Sequence, residues 1–508
     1  MPKVQLTIQD VVSLAEKHRV VPIIETLFST TETPLSIFEK LASDKQGSFL
    51  LESAEQGVWA RYSFVGVNNR GTLLQSDGGE VRWHSQDGLS ALPNQSEALK
   101  LTALDAVNQI QQAWTSAPLP GVPPLTSGLV GLLAWDVIRE IEKLGPAPAK
   151  DFPSPTAAMA MFQDLVIMDH HTSSILLVSN IFVENGADLT AAYEDALVRI
   201  DRMRADLFKP SQVLLADVDL TTKAETKNRD PKEKFLATVE ASKHFVRIGD
   251  VFQVVLSQRF DHDLSASPLD VYRVLRALNP SPYMYLLNFA DEHGEYSVVG
   301  SSPEALVTVN ERHAVMHPIA GSRPRGIGVD QDEEFATSLL ADHKEKAEHL
   351  MLVDLARNDL LKVCEPSSVT VTEFMKIHRF SHIMHLVSTV EGQIRDGQTP
   401  IDVFKATFPA GTLSGAPKPR ALEIIDELET SNRGIFGGVV GYFDFAGNAD
   451  VAIAIRTAFI RDGVAHVQAG AGIVLDSVAE TEHAETIAKA GAPMRAVVAA
   501  NHMNRRSN

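Results

Sequence analysis

Two stretches, far apart in the chain, each carry two glutamates three residues apart. KEKAEHLMLVDLARNDLL (344–361) holds Glu345 and Glu348, and AETEHAETIAKAG holds Glu482 and Glu485. Residues three apart on a helix share a face, so each stretch would present its two carboxylates together. Four carboxylates from two helices suit Mg2+, a hard cation that accepts a few carboxylates plus water and substrate oxygens. The plain alternative is two solvated acidic faces.

The stretch ATFPAGTLSGAPKPRALEIIDEL (406–428) looks at first like a phosphate cradle. A P-loop needs GxxxxGK followed by Ser or Thr, whereas Pro417 stands directly before Lys418, so that reading fails. What remains is a Gly-rich turn opening a helix with Pro417 or Pro419 in its first turn. Its amides and the positive helix end suit any anion, carboxylates included. A simple N-cap by Ser414 is the bland alternative.

IHRFSHIMHLVSTVEG places His378, His382 and His385 at helix-like spacing, which invites zinc. The β-branched Val387, Thr389 and Val390 favour a strand instead, which would scatter the rings over both faces. One of the three can serve in proton transfer, since unperturbed His titrates near neutrality. In VAIAIRTAFI, Arg456 sits in an otherwise apolar strand, where an inward arginine needs an anionic partner. Gly470 and Gly472 in HVQAGAGIVLDS would let backbone amides approach a ligand closely. A structural ion pair is the equal alternative for Arg456.

The elements that must position these residues are mixed. QDLVIMDHHTSSILLVSNIF reads as two strands around a polar turn, followed by a helix over Leu189–Leu207. VFQVVLSQRF and EYSVVGSSPEALVTV read as strands, and Ser267-Pro268-Leu269-Asp270 has a capping-box arrangement opening a helix. Strands do not alternate strictly with helices, so the expected class is α+β with antiparallel sheets. Segments 115–125, 145–156 and 209–234 look like joints. The last is the best domain boundary, dividing an N-terminal region (1–225) from a C-terminal one (226–508).

The 508 residues, 44% hydrophobic and 22% charged, supply ample core. A formal net charge of −19 argues against nucleic acid and anionic lipid as partners. One cysteine, Cys364, excludes internal disulfides and multi-cysteine metal sites. No apolar h-region or 18-residue apolar run is present, and the expectation is a cytoplasmic protein.

From about Phe252 to Arg495, FQVV, SSPE, PIAGSRPRG, DHKEKAEHLMLVDLARNDL, HLVS, GTLSGAPK, RGIFGGVVGYF, IRTA, AGAGIV and ETEHAETIAKA follow in order. Together they resemble the chorismate-utilising enzymes, and among these the anthranilate synthase component I family. The resemblance implies large, mostly antiparallel sheets packed together with helices outside, and an N-terminal regulatory portion. It implies Mg2+ held by Glu348 and Glu485, with Glu345 and Glu482 beside them. It places His385 and Thr412 in the active site, and Arg456, Lys489, Gly321, Gly470 and Gly472 around the substrate carboxylates. The implied reaction is amination of chorismate by ammonia with elimination of pyruvate, giving anthranilate, the first committed step of tryptophan biosynthesis. Glu345 is the candidate acid for the departing hydroxyl, and His385 the candidate for the elimination.

LLES and NPSPYM match family positions for feedback inhibition by tryptophan, through Ser53, Pro282, Tyr283 and Met284. Without the resemblance, NPSPYM reads as a rigid proline turn. Sibling enzymes that aminate without losing pyruvate, the aminodeoxychorismate and aminodeoxyisochorismate synthases, are the alternative. Against the first stands Ala320 in PIAG, where aminodeoxychorismate synthases often carry Lys. Gln253 stands where isochorismate and salicylate synthases typically carry a water-activating lysine, which favours ammonia as nucleophile. Ser322 and Phe436 replace the family's common Thr and frequent Tyr. Cys364 lacks the glycine-rich elbow of a glutaminase nucleophile, so a separate glutamine amidotransferase subunit is the expected ammonia source, within a heterotetramer. A non-catalytic amino-acid sensor would be expected to lose the Glu pairs, His385 or Arg456, and all are present.

Overall fold

The computed structural model describes residues 6–54, 61–76, 79–85, 87–93, 101–211, 215–224, 227–379 and 383–506. The expected hairpin forms from Pro155–Asp169 and Ser174–Phe182, which pair from Asp164↔Ser179 to Asp169↔Ser174. Helix Leu189–Leu207 follows, capped by the Asp188 carboxylate on two backbone amides. Helix Pro268–Leu278 opens as its sequence suggests. Ser267 Oγ accepts the Asp270 amide, with Pro268 in the first turn.

The strands build one large antiparallel sheet that folds back on itself, with helices packed outside it. Strands from both halves of the chain interleave. Ser48–Glu52 pairs with Tyr283–Asp291, and Gly128–Leu133 pairs with Val439–Asp444. Every residue of Gly128–Leu133, Ser174–Phe182 and Val439–Asp444 is buried, so these strands are covered on both faces. Their continuous apolar runs reflect that double burial. Long helix Ala479–Asn501 lies on strand Val464–Ile473 and against helix Pro268–Leu278.

Two stretches that read as continuous strands are broken, and both breaks face the candidate site. EYSVVGSSPEALVTV becomes Gly294–Ser302 and Ala305–Asn310, interrupted at Pro303-Glu304, where proline has no N–H for the ladder. VAIAIRTAFI becomes Ala449–Ile453 and Thr457–Arg461. Arg456 therefore does not lie within a strand. It occupies the bend between two, in the left-handed region at φ 50°.

Candidate active site

Helix His343–Leu361 starts at Asp342, whose carboxylate accepts the amides of Lys344 and Glu345. That cap sets the phase of the first turn, so Glu345 and Glu348 share one face. Helix Ala479–Asn501 brings Glu482 and Glu485 towards them. Burial, and then the charges of Glu345 and Glu485, push the Glu348 carboxyl above its ordinary range, while Lys344 and Lys489 oppose that rise. Glu482 is likewise pushed up, first by burial, with the Glu485 charge adding and a Ser477 hydrogen bond opposing. These mutual effects put the four carboxylates within electrostatic reach of one another. Among the described residues no three His, Cys, Asp or Glu side chains stand ready to hold an ion by themselves. The donor set fits a cation that takes one or two carboxylates and completes its shell with other oxygens.

Lys489 bridges to the opposite wall. Its Nζ lies 2.7 Å from Glu485 Oε1 and donates to the Gly470 carbonyl at 3.0 Å. Gly470 and Gly472 lie in strand Val464–Ile473, which pairs with Gln253–Asp263 through Ser257↔Gly470 and Val255↔Gly472. A Cβ on Gly472 would stand 2.1 Å from Gln253 Nε2, so the glutamine side chain closes over bare backbone there.

His385 lies in strand Ile383–Gln393, opposite Ser322. The strand reading of the histidine stretch holds, with His378 across from His385 on neighbouring strand Thr370–Arg379. His382 lies outside the described residues. A register shift between Ala320 and Ser322 leaves Gly321 at φ +68°, with its carbonyl 2.9 Å from His385 Nδ1. A carbonyl only accepts, so Nδ1 carries the hydrogen and Nε2 is the acceptor nitrogen. Burial lowers the His385 pKa, and the Arg456 charge lowers it further, against the Gly321 hydrogen bond that favours the charged ring. On the other side of Gly321, an added Cβ would meet Glu345 Oε2 at 2.9 Å. Gly321 is thus the spacer between His385 and Glu345.

The structure adds a residue that motif reading did not single out. Glu304, at the break after Pro303, accepts a hydrogen bond from Thr412 Oγ1 at 3.2 Å. Burial pushes its carboxyl up to about 7, opposed by the Thr412 hydrogen bond and the charges of Lys489 and Arg456. Its signal lay in SSPE, an acidic residue straight after a strand-breaking proline between two apolar runs. Burial lowers the Arg456 pKa, and Glu304 is the anion that opposes this.

The Gly-rich stretch resolves against the Ser414 N-cap. Helix Lys418–Leu428 has Pro417 at its N-cap with no side-chain cap, and Ser414 Oγ donates instead to the Ala410 carbonyl. Lys418 is largely covered and structural, donating to Asp359 Oδ2 at 2.7 Å and to the Thr407 carbonyl at 2.9 Å. Gly411 and Thr412 line a cleft with Glu304, His317, Leu352 and Ala410. Phe436 lies in a second small pocket beside Ala454 and Thr457, on the flank of the Arg456 bend.

Hydrogen bonds, close contacts and mutual charge effects thus link His385, Gly321, Glu345, Glu348, Glu485, Lys489, Glu304, Thr412 and Arg456 into a ring, with Gly470 held to it by Lys489. Ser53, Pro282, Tyr283 and Met284 gather elsewhere. Glu52 pairs with Met284 at the end of strands Ser48–Glu52 and Tyr283–Asp291, leaving Ser53 and Tyr283 one step beyond. The Ser53 hydroxyl is buried without a hydrogen-bond partner among the described residues.

A family model for chorismate binding enzymes matches residues 47–495. Anthranilate synthase component 1 of Arthrobacter globiformis is 48% identical over 498 residues, covering 97% of this chain and 92% of that protein. Anthranilate synthase component 1 of Aquifex aeolicus is 42% identical over 498 residues, covering 97% of each. The crystal structure of anthranilate synthase component I from Streptococcus pneumoniae TIGR4 superposes with a TM-score of 0.74 at 34% identity, over 86% of this chain and 93% of that one. The menaquinone-specific isochorismate synthase of Escherichia coli shares the fold, with a TM-score of 0.66 at 18% identity over 97% and 98% of the two chains. The chain belongs to the chorismate-binding enzymes, and within them to the anthranilate synthase component 1 proteins.

Proposed function

We propose that this ring binds chorismate with Mg2+ and converts it, with ammonia, to anthranilate and pyruvate. The observation that carries the reading is the opposition of two surfaces. A four-glutamate face, which carries Lys489 on the same helix, adjoins Arg456 and a Glu304 whose carboxyl is pushed up to about 7. Chorismate carries two carboxylates, and the two surfaces divide them. Glu348 and Glu485, with Glu345 and Glu482 beside them, would hold Mg2+ on the side of the ring carboxylate, and Arg456 takes the other. When bound, Mg2+ supplies charge neutralisation at the ring carboxylate.

Ammonia attacks ring C2 while the C4 hydroxyl departs. That hydroxyl leaves as water only if it is protonated, and Glu304 holds a proton near neutrality, with Thr412 orienting its carboxyl. Glu345 is the alternative donor, and comparison of Glu304→Gln with Glu345→Gln separates the two. For elimination of pyruvate, His385 offers Nε2 as the base at C2, its ring oriented by the Gly321 carbonyl.

Ammonia comes from a separate glutamine amidotransferase subunit in the cytoplasm. Cys364 is buried beneath strand Ile383–Gln393, and burial pushes its thiol up to about 11, the reverse of an activated nucleophile. Tryptophan inhibits from the site at Ser53, Pro282, Tyr283 and Met284, where the buried Ser53 hydroxyl has no hydrogen-bond partner among the described residues. The purified chain should form anthranilate from chorismate with ammonium salts and Mg2+, and not with glutamine. Glutamine-dependent turnover by the single chain would refute the division between subunits.

A further inference from the structure

Arg456 must hold its guanidinium at one place, yet it sits on a bend in a backbone region that L-residues seldom adopt. The bend is fixed from outside. Strands Tyr283–Asp291, Gly294–Ser302 and Thr457–Arg461 lie side by side, with Tyr285 opposite Gly300 and Gly300 opposite Thr457. The Tyr285 ring crosses the middle strand at the glycine, where an added Cβ would stand 2.1 Å from ring atom Cε2. Its hydroxyl reaches Thr457 Oγ1 at 2.6 Å. Thr457 Oγ1 in turn donates to the Ile455 carbonyl at 2.8 Å. A threonine hydroxyl has one hydrogen, and the carbonyl takes it, so Tyr285 is the donor to Thr457. The relay clasps the residues on either side of Arg456, and the Ser301 amide donates to the Arg456 carbonyl at 3.2 Å. Tyr285 and Thr457 are 1% and 6% exposed, so the relay is largely withdrawn from solvent.

We propose that Tyr285 is a positioning residue for substrate binding. Through Thr457 it holds the 454–457 bend so that Arg456 meets a substrate carboxylate in a fixed orientation. The proposal rests on the chorismate reading above. Tyr285→Phe removes one oxygen and keeps the ring over Gly300. It should raise KM for chorismate, and the dissociation constant by calorimetry, about five- to tenfold with kcat within about twofold. Thr457→Val should do the same, Thr457→Ser should stay near wild type, and the Tyr285→Phe/Thr457→Val pair should be no worse than either alone. In an Arg456→Met background, Tyr285→Phe should add nothing.

An unchanged KM in Tyr285→Phe, or a fall confined to kcat or to melting temperature, overturns the proposal. So does a KM effect that persists in full without Arg456. If wild type turns over chorismate and Tyr285→Phe matches it, only the positioning role fails. If wild type neither binds nor turns over chorismate, the functional reading fails and the proposal with it.

Discussion

Thr412 donates its hydroxyl to Glu304 Oε1 across 3.2 Å, joining the Gly-rich turn to the carboxyl that interrupts two strands. The contact gives the GTLSG sequence a task unrelated to phosphate. It orients an acid whose proton is held near neutrality.

The acid should be visible in the pH dependence. A donor raised to about 7 is protonated below that pH, so kcat should fall as pH rises through neutrality. Glu304→Gln should lose that limb and be about 10²- to 10⁴-fold slower, with KM for chorismate little changed. Thr412→Val removes a hydrogen bond that favours the charged form, so its limb should move to higher pH. Rate profiles of the three proteins from pH 5.5 to 9 check this.

The glutamate face should respond to metal and not to fold. A chelator should abolish turnover, and Mg2+ should restore it, while the melting temperature without substrate changes little. Glu348→Gln should raise the Mg2+ concentration for half-maximal activity about 10- to 100-fold. A Mg2+ titration of the variant against wild type reads this directly.

The scaffold behind the pocket is held by a buried ion pair. Arg433 meets Glu429 at 2.7 Å, their side chains 1% and 4% exposed. Arg433 also donates to the carbonyls of Leu413 and Val255, and Glu429 accepts the Ser257 amide and hydroxyl. Glu429→Ala leaves a buried guanidinium uncompensated and should cost about 3–5 kcal/mol in urea or thermal unfolding.

Tryptophan should inhibit wild type. Ser53→Phe, which puts a bulky ring where a small buried hydroxyl stands, should relieve that inhibition with kcat within about twofold of wild type. Inhibition curves for the two proteins check the pocket, and equal sensitivity would argue against it.

Much of this candidate site was legible in the sequence because its side chains sit in regular elements. The 345/348 and 482/485 spacings translate directly into helix faces, and β-branched neighbours put His385 on a strand. What escaped was irregular. Arg456 read as a strand residue because its neighbours are apolar and β-branched, yet contacts from Ser301 and Thr457, distant or local, hold it in a bend. Glu304 read as part of a strand because local pattern carries no sign of the burial that raises its pKa. Lys418 invited an anion, and its partner Asp359 lies 59 residues away on another helix. Side chains whose role is set by long-range partners are those that periodicity cannot assign.

The most direct test of the central claim is one assay: purified chain, chorismate, an ammonium salt and Mg2+, followed by anthranilate fluorescence and product chromatography. Anthranilate and pyruvate in equal amounts, lost on chelation and restored by Mg2+, is the result expected. No turnover of chorismate, or an aminated product that retains its enolpyruvyl group, would contradict the account.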